Sequence, residues 1–452
     1  MTEPAPNTRP RLRPLRTLAT VGALTAALPI TLPVLAGCLA ARRLAGPRRR
    51  ARPEGGARTV LISGAKMTKA LQLARSFHAA GHRVVLIESH DYWLTGHRYS
   101  RAVSAFHTTP KPGAPGYVEA LVAIIQAERV DVYVPVCSPA ASLHDAAAHP
   151  ELSRYCEVIH AGPDTIDALD DKHAFAAAAE RFGLRVPKTI RVESPEDVLA
   201  HDFSGETHPF ILKSLAYDAV RRLDLTQLPR PTHDETEAYV RSLPIRADNP
   251  WVLQEFIAGT EYCTHGTYRA GACRVHACCA SSAFQINYEH IDKPAITDWV
   301  TRFGAGLGLT GQASFDFIES AADGQVYAIE CNPRTHSAIT MFYDHPELAA
   351  AYLGGDLSNA PIEPTRASQP TYWIAHELWR LLAAVRRREG LGQRLAVIAT
   401  GTDAVFDWRD PWPFFMLHHT QIPLLLLRSV RDDRPWLTID FNIGKLVQPG
   451  GD

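Results

Sequence analysis

Two apolar runs, Ser314-Phe315-Asp316-Phe317-Ile318 and Val326-Tyr327-Ala328-Ile329-Glu330-Cys331-Asn332-Pro333-Arg334, flank Ala321-Ala322-Asp323-Gly324. Hydrophobic strands around an Asp-Gly turn read as a β-hairpin. A three-residue loop from Ala322 to Gly324, with Gly324 left-handed, sets Asp316 opposite Glu330. Glu330 and Asn332 are two apart and share a strand face. That face carries two carboxylates and an amide oxygen, the donors that hard cations such as Mg²⁺ take along with water and substrate phosphate. Arg334, just past the strand, suits bidentate contact with a phosphate oxygen. Either acid alone is an ordinary polar residue of a hairpin. Acid, hairpin and Glu-x-Asn-Pro-Arg together point to a metal–phosphate site.

The rest of the chain is large enough to carry such a site on two or three domains: 452 residues with a net charge of -1. That balance gives no bias toward nucleic acid. The 8 cysteines include no Cys-x-x-Cys pair and sit mostly in apolar runs, which suits reduced thiols better than a disulfide framework or a zinc site. Residues 1–57 differ from all that follows. Arg9, Arg11, Arg13 and Arg16 precede an uncharged run from Thr17 to Ala41, and Arg42, Arg43, Arg48, Arg49, Arg50 and Arg52 follow it. An apolar run above about 18 residues is a membrane candidate. Pro29 and Pro33 favour a kinked or re-entrant form over a straight helix. A membrane anchor leads two other readings, a packed helix and a signal peptide with a lipoprotein-like box at Leu35-Ala36-Gly37-Cys38. Arginines crowding the downstream side keep that side cytoplasmic. Gly46 to Ala57 reads as a polar linker.

Thr59-Val60-Leu61-Ile62, a helical pattern from Met67 to Ala80 and Val84-Val85-Leu86-Ile87-Glu88 make a β-α-β unit and imply a parallel sheet. The single glycine in the first turn excludes the Gly-x-Gly-x-x-Gly dinucleotide cradle. Tyr117 to Gln126 adds a helix and Val130 to Val136 a strand. Thr165 to Phe182 reads as one helix with Asp171-Lys172 near its start. Pro209-Phe210-Ile211-Leu212-Lys213 ends an apolar strand on a lysine whose ammonium must leave the core. Trp251 to Tyr262 is a strand ending in Gln254-Glu255, then Phe256-Ile257-Ala258-Gly259-Thr260-Glu261.

The order Lys213, Glu255, Glu261, Asp316, Glu330, Asn332 resembles the ATP-grasp ligases. The resemblance covers about residues 160–345, with weaker support from 58–160. It implies an α/β protein, α+β in its central part: a parallel-sheet domain at 58–160, a two-lobed ATP-grasp domain at 161–345 and a C-terminal extension at 346–452. It also implies ATP and Mg²⁺ (or Mn²⁺) as cofactors and C–N bond formation with release of ADP. By that resemblance Asp316, Glu330 and Asn332 hold the metal, and Lys172 and Lys213 contact the nucleotide. Glu255, Phe256 and Ile257 form the adenine hinge, Glu261 takes the ribose hydroxyls, and Lys213 and Arg334 offset charge on the transferred phosphoryl group. One departure stands out. The family's glycine-rich phosphate loop is replaced by Ser214-Leu215-Ala216-Tyr217-Asp218 followed by Arg221-Arg222, guanidinium groups that also suit phosphate.

Ser63 to Leu71, Glu88 to Trp93 and the Lys213–Arg222 stretch are similar to the branch of this family found in mycosporine biosynthesis. That resemblance implies phosphorylation of the enol of 4-deoxygadusol, a vinylogous carboxylic acid, and its coupling to glycine. Rival readings are an ordinary carboxylate–amine ligase and a membrane-tethered ATP-binding protein without turnover. His336 is a candidate for the amine's base, with a structural histidine as the competing reading. Small-molecule substrates, no nucleic acid, and the homodimers common among such ligases are the expected partners, at the cytoplasmic face of a membrane or in the cytoplasm. In the tail, Tyr372 to Arg388 reads as an amphipathic helix, and 17–41 and 411–428 as membrane-facing or mutually packed segments. Asp440 to Lys445 reads as a returning strand.

Overall fold

Unbroken runs of Val, Leu and Ile near the N-terminus form strands buried on both sides, the condition of a parallel sheet. The computed structural model describes residues 13–46, 53, 55–136, 138–216, 221, 224–281, 287–355, 357, 358, 360–366, 368–388 and 390–449. The first sheet comprises β1 (Thr59–Ile62), β2 (Arg83–Ser89), β3 (Ala105–Thr109), β4 (Val132–Val134) and β5 (Glu157–Val158), in the order β3-β2-β1-β4-β5. Every pairing is parallel. Val60, Ile62 and Leu86 pack with Leu71 and Phe77 of the helix Thr68–Ala79 on one face. Leu61, Val85 and Ile87 pack with Tyr117 and Leu121 of the helix Tyr117–Glu128 on the other.

The stretch from Thr165 to Phe182 is two helices rather than the expected one, Pro163–Asp170 and Lys172–Arg181. Asp171 takes an extended backbone (φ -79, ψ 115), and its carboxylate accepts the N–H groups of His173 and Ala174. A short acceptor side chain competes with helix continuation and caps a new N-terminus instead. The break sets Lys172 at the first turn of the second helix.

Two antiparallel sheets follow. One holds β6 (Thr189–Val192), β7 (Phe210–Ser214) and β8 (Trp251–Glu255) in the order β6-β8-β7. The other holds β9 (Gly259–Arg269), β10 (Ala272–Ala280), β12 (Gly311–Ser320) and β13 (Val326–Asn332) in the order β10-β9-β12-β13, with the short β11 (Asn287–Tyr288) between β10 and β12 in the chain. Phe315 and Phe317 on the back of this larger sheet pack with Trp299 and Phe303 of the helix Pro294–Leu307; the Trp299 and Phe303 rings stack 5.1 Å apart.

The tail shares the core of the first sheet. Val405, Leu417, Ile422, Leu426 and Phe441 join the cluster that contains Leu71 and Phe77. Asp440 to Lys445 is the turn of a hairpin between Thr438–Asp440 and Lys445–Val447, rather than a strand added to a larger sheet. The Asn442 carbonyl accepts both the backbone N–H (2.8 Å) and the hydroxyl (3.0 Å) of Thr68, closing the hairpin over the helix Thr68–Ala79.

The uncharged N-terminal run forms a helix pair, Arg13–Ala26 and Leu28–Ala45, with Pro33 inside the second member. The pair lies on the tail. Trp436 Nε1 donates to the Thr17 hydroxyl (2.9 Å), the Arg16 guanidinium sits 3.9 Å from the Trp436 ring centroid, and Thr31 bonds His419 (2.8 Å). Segment 411–428 therefore spends much of its apolar surface on packing, with Leu417, Ile422 and Leu426 buried, and only part of it faces outward. Leu28–Ala45 is long and apolar enough to cross a membrane by composition, and little of it is buried. Arg9, Arg11, Arg48, Arg49, Arg50 and Arg52 lie outside the described residues.

Candidate active site

Asp316 pairs with Glu330, and Ser314 with Asn332. The expected pairing arises by an unexpected route. The hairpin loop has four residues: the Ser320 N–H donates to the Gln325 carbonyl (2.9 Å) and the Gly324 N–H to the Ser320 carbonyl (2.9 Å). Gly324 is left-handed at φ +67. Relative to a three-residue loop this slips the register by one, which alone would turn Glu330 to the opposite face from Asp316. A bulge between the Asp316 and Phe317 levels, with Phe317 opposite Ala328, takes up the slip.

The three predicted metal-ligand side chains meet. Asn332 Nδ2 lies 3.3 Å from Asp316 Oδ2 and 3.5 Å from Glu330 Oε1, and Asn332 Oδ1 accepts from Arg334 Nη2 at 2.5 Å. Lys172 Nζ, delivered by the helix break, stands 3.5 Å from Glu330 Oε2. Across the sheet, Cys263 is the partner of Asp316 on β9 and Cys279 the partner of Cys263 on β10, with the two sulfurs 3.9 Å apart. Two thiols and two carboxylates thus form one rung over four strands.

Charge inside this rung is unevenly placed. Burial drives the Asp316 carboxyl well above the carboxylate range, and the neighbouring Glu330 adds to it. Burial also acts on Glu330, but Lys172 and Lys213 outweigh it and hold its carboxyl below the ordinary value. Lys213, at the end of β7, is lowered by burial, with Glu330, Glu261 and Asp316 pulling the other way. Lys213 of the three-stranded sheet thus stands in the field of acids carried by the four-stranded sheet.

Among the described residues no group of three or more His, Cys, Asp or Glu is set to hold a metal ion. The donor set here is of another kind, two carboxylates and an amide. It fits a hard divalent cation. The buried Asp316 carboxyl, pushed toward its neutral form, is a ligand short of positive charge. The Asn332 amide reaches between both acids, and half a turn of that amide would present its oxygen there.

The adenine-side residues are placed less simply. Glu255 is engaged on both oxygens, by His208 Nδ1 (2.6 Å) and the Lys188 N–H (3.2 Å). The Phe256 N–H donates to the Pro209 carbonyl (2.7 Å), so that donor is committed, and Ile257 beside it is buried. Glu261, opposite Ile318 on β9, accepts from the Ser281 hydroxyl (3.1 Å). Tyr217, Asp218 and Arg222 of the expected loop replacement lie outside the described residues. His336 is half-buried, caps the turn Ser337–Phe342 and receives the Ala338 N–H on Nδ1 (3.3 Å). Burial, with Lys69 and Arg334 nearby, lowers it to about 3, which weighs against a role as the amine's base.

Three contributors escaped sequence reasoning. Asp170, raised by burial, sits in the field of Arg334, Lys172 and Glu330. Its position just before the capping Asp171 was the available signal. The Ser314 hydroxyl, opposite Asn332, is buried without a hydrogen-bond partner. Lys69 Nζ donates to the Thr335 carbonyl (2.6 Å), bracing the Arg334 loop from the first sheet's helix.

No family model matches this sequence, and no curated protein matches it. Solved structures do. The N5-carboxyaminoimidazole synthetase of Staphylococcus aureus is 17% identical over 72% of this chain and 83% of its own, with a TM-score of 0.51. The biotin carboxylase of Campylobacter jejuni is 14% identical over 69% and 74%, with a TM-score of 0.51. The L-amino acid ligase of Bacillus licheniformis is 16% identical over 68% and 79%, with a TM-score of 0.50. The chain has the ATP-grasp fold, preceded by a parallel-sheet α/β unit.

Proposed function

We propose that this chain is an ATP- and Mg²⁺-dependent ligase that phosphorylates the enol oxygen of 4-deoxygadusol and couples that carbon to glycine, a mycosporine–glycine synthase. The observation that carries the ligase reading is the convergence of Asp316, Glu330 and Asn332 with Lys172 on an ATP-grasp fold. The acceptor rests on the sequence resemblance, with one supporting contact. Two of its stretches, Ser63–Leu71 and Glu88–Trp93, meet in the fold: Lys66 Nζ bonds Glu88 Oε1 (3.1 Å) and lies 4.3 Å from the Tyr92 ring centroid.

In this reading Asp316, Glu330 and Asn332 would hold the divalent cation, which neutralises phosphate charge when bound. Lys213 and Lys172 orient the polyphosphate, and Arg334, released from Asn332 Oδ1, turns to the transferred group. Glu261 receives the ribose hydroxyls as an acceptor and needs no change of protonation. Glycine's amine replaces phosphate at the enol carbon and gives an enaminone. Its proton passes to solvent, since His336 is unsuited to take it.

A second reading is favoured by the fold shared with the L-amino acid ligase: an amide-forming carboxylate–amine ligase working through an acyl phosphate. One experiment separates them. Purified full-length protein is incubated with ATP, Mg²⁺, glycine and either 4-deoxygadusol or a panel of carboxylates. ADP release with a new ultraviolet-absorbing glycine adduct only from 4-deoxygadusol supports the first reading. Amide products from a carboxylate support the second, and nucleotide binding with no acceptor-dependent ADP release rejects both. We place the enzyme at the cytoplasmic face of a membrane, held by the helix pair Arg13–Ala26 and Leu28–Ala45.

A further inference from the structure

The helix Ile374–Arg387 is built inside out. Glu377 is fully buried, and its carboxylate takes Arg380 (3.2 Å) and, from the neighbouring helix Leu391–Thr400, Arg394 (3.4 Å). The charged side thus faces the protein. On the opposite side Leu378, Trp379 (72% exposed), Leu382 and Val385 line one stripe at helical spacing, and Leu391 and Leu395 continue it. An ordinary surface helix does the reverse. Apart from the buried Glu377, neither helix contains an acidic residue, and three consecutive exposed arginines, Arg386, Arg387 and Arg388, end the stripe.

We propose that this outward face seats on an anionic lipid bilayer, with the apolar stripe in the headgroup–acyl boundary and the arginine triplet on lipid phosphate. Apolar side chains beside clustered cations, with no acid other than the buried Glu377 in either helix, match that surface. A second copy of the chain would instead bring a further arginine triplet against helices whose one carboxylate, Glu377, is buried and already paired. The protein-facing side of the helix is tied to the segment that carries the N-terminal helices. His376 Nε2 lies 3.3 Å from the Ile439 carbonyl, and the adjoining Leu437 carbonyl accepts from Arg16 Nη2 (2.6 Å) beside the exposed Leu15 and Leu18. The proposal is independent of the ligase reading.

The test uses full-length protein and vesicles of phosphatidylcholine, alone or mixed with phosphatidylserine, some carrying brominated acyl chains. Wild type is expected to float with the mixed vesicles, and its tryptophan emission to be quenched by brominated lipid through a component that W379F lacks. W379D/L382D should remove most of the gain in partitioning that phosphatidylserine brings, while the basal binding through the N-terminal helix pair, the melting temperature and nucleotide binding stay unchanged. R386Q/R387Q/R388Q should remove the preference for phosphatidylserine. The proposal is overturned if the protein does not float, if W379F and wild type quench alike, if partitioning ignores lipid charge, or if W379D/L382D acts instead by abolishing a concentration-dependent dimer.

Discussion

Asp316 and Glu330 stand opposite one another across a hairpin and are driven toward opposite protonation states. Asp316 is raised well above the carboxylate range by burial and by Glu330, while Glu330, despite burial, is held down by Lys172 and Lys213. A cation binding here must displace the proton that Asp316 retains. Calorimetric titration with Mg²⁺ or Mn²⁺ in buffers of different ionisation enthalpy is therefore expected to show proton release, and affinity should rise with pH up to the elevated Asp316 value. A pH-independent affinity without proton release would show that the metal binds elsewhere.

The same shift makes Asp316 a liability to the empty fold. Its native form keeps a proton above the unperturbed value of 3.8, so its contribution to stability falls as pH rises from there through the elevated value. D316N removes that loss. The metal-free variant should melt higher than wild type near neutral pH, while its ADP-forming turnover falls on the order of 10²-fold or more. Equal melting points would mean that Asp316 is ionised at no cost.

Asp171 caps the helix that presents Lys172. D171A should cost about 1 kcal/mol of stability, as lost caps usually do. It should also raise the KM for ATP, because Lys172 then leaves the first turn facing Glu330. K172M, with the cap intact, should reproduce the KM effect without the loss in melting temperature. Steady-state kinetics and thermal melts on both variants distinguish cap from ligand.

His336 separates a structural role from a catalytic one. Lowered to about 3 by burial, it is neutral throughout the working range. H336N keeps an acceptor close to the Ala338 N–H and should leave the pH–rate profile unchanged, with at most a lower melting temperature. Loss of a titrating limb in that profile would restore it as a base.

Much of this site was legible in the sequence, for reasons tied to particular residues. Glu330 and Asn332 share a face because they are two apart beyond the bulge, whereas the expected facing of Asp316 and Glu330 rested on a loop one residue too short, a slip that the bulge cancels. The parallel sheet was legible from its two-sided apolar runs. The helix break at Asp171 was missed because an apolar periodicity running through Thr165–Phe182 hid a competing local hydrogen bond. The commitment of the Phe256 N–H to Pro209 depends on a partner 47 residues earlier, and no local pattern shows it. The inverted polarity of Ile374–Arg387 was out of reach too, since an amphipathic pattern shows two faces without saying which one meets the protein.

The loop and the bulge of the central hairpin each change the strand count by one, and their effects cancel. The ion site is thus governed by odd and even. A single insertion or deletion in either place would swing one carboxylate to the far side of the sheet, among Phe315 and Phe317, whereas paired changes would pass without trace. Lineages carrying this hairpin should therefore vary its length only in compensated steps.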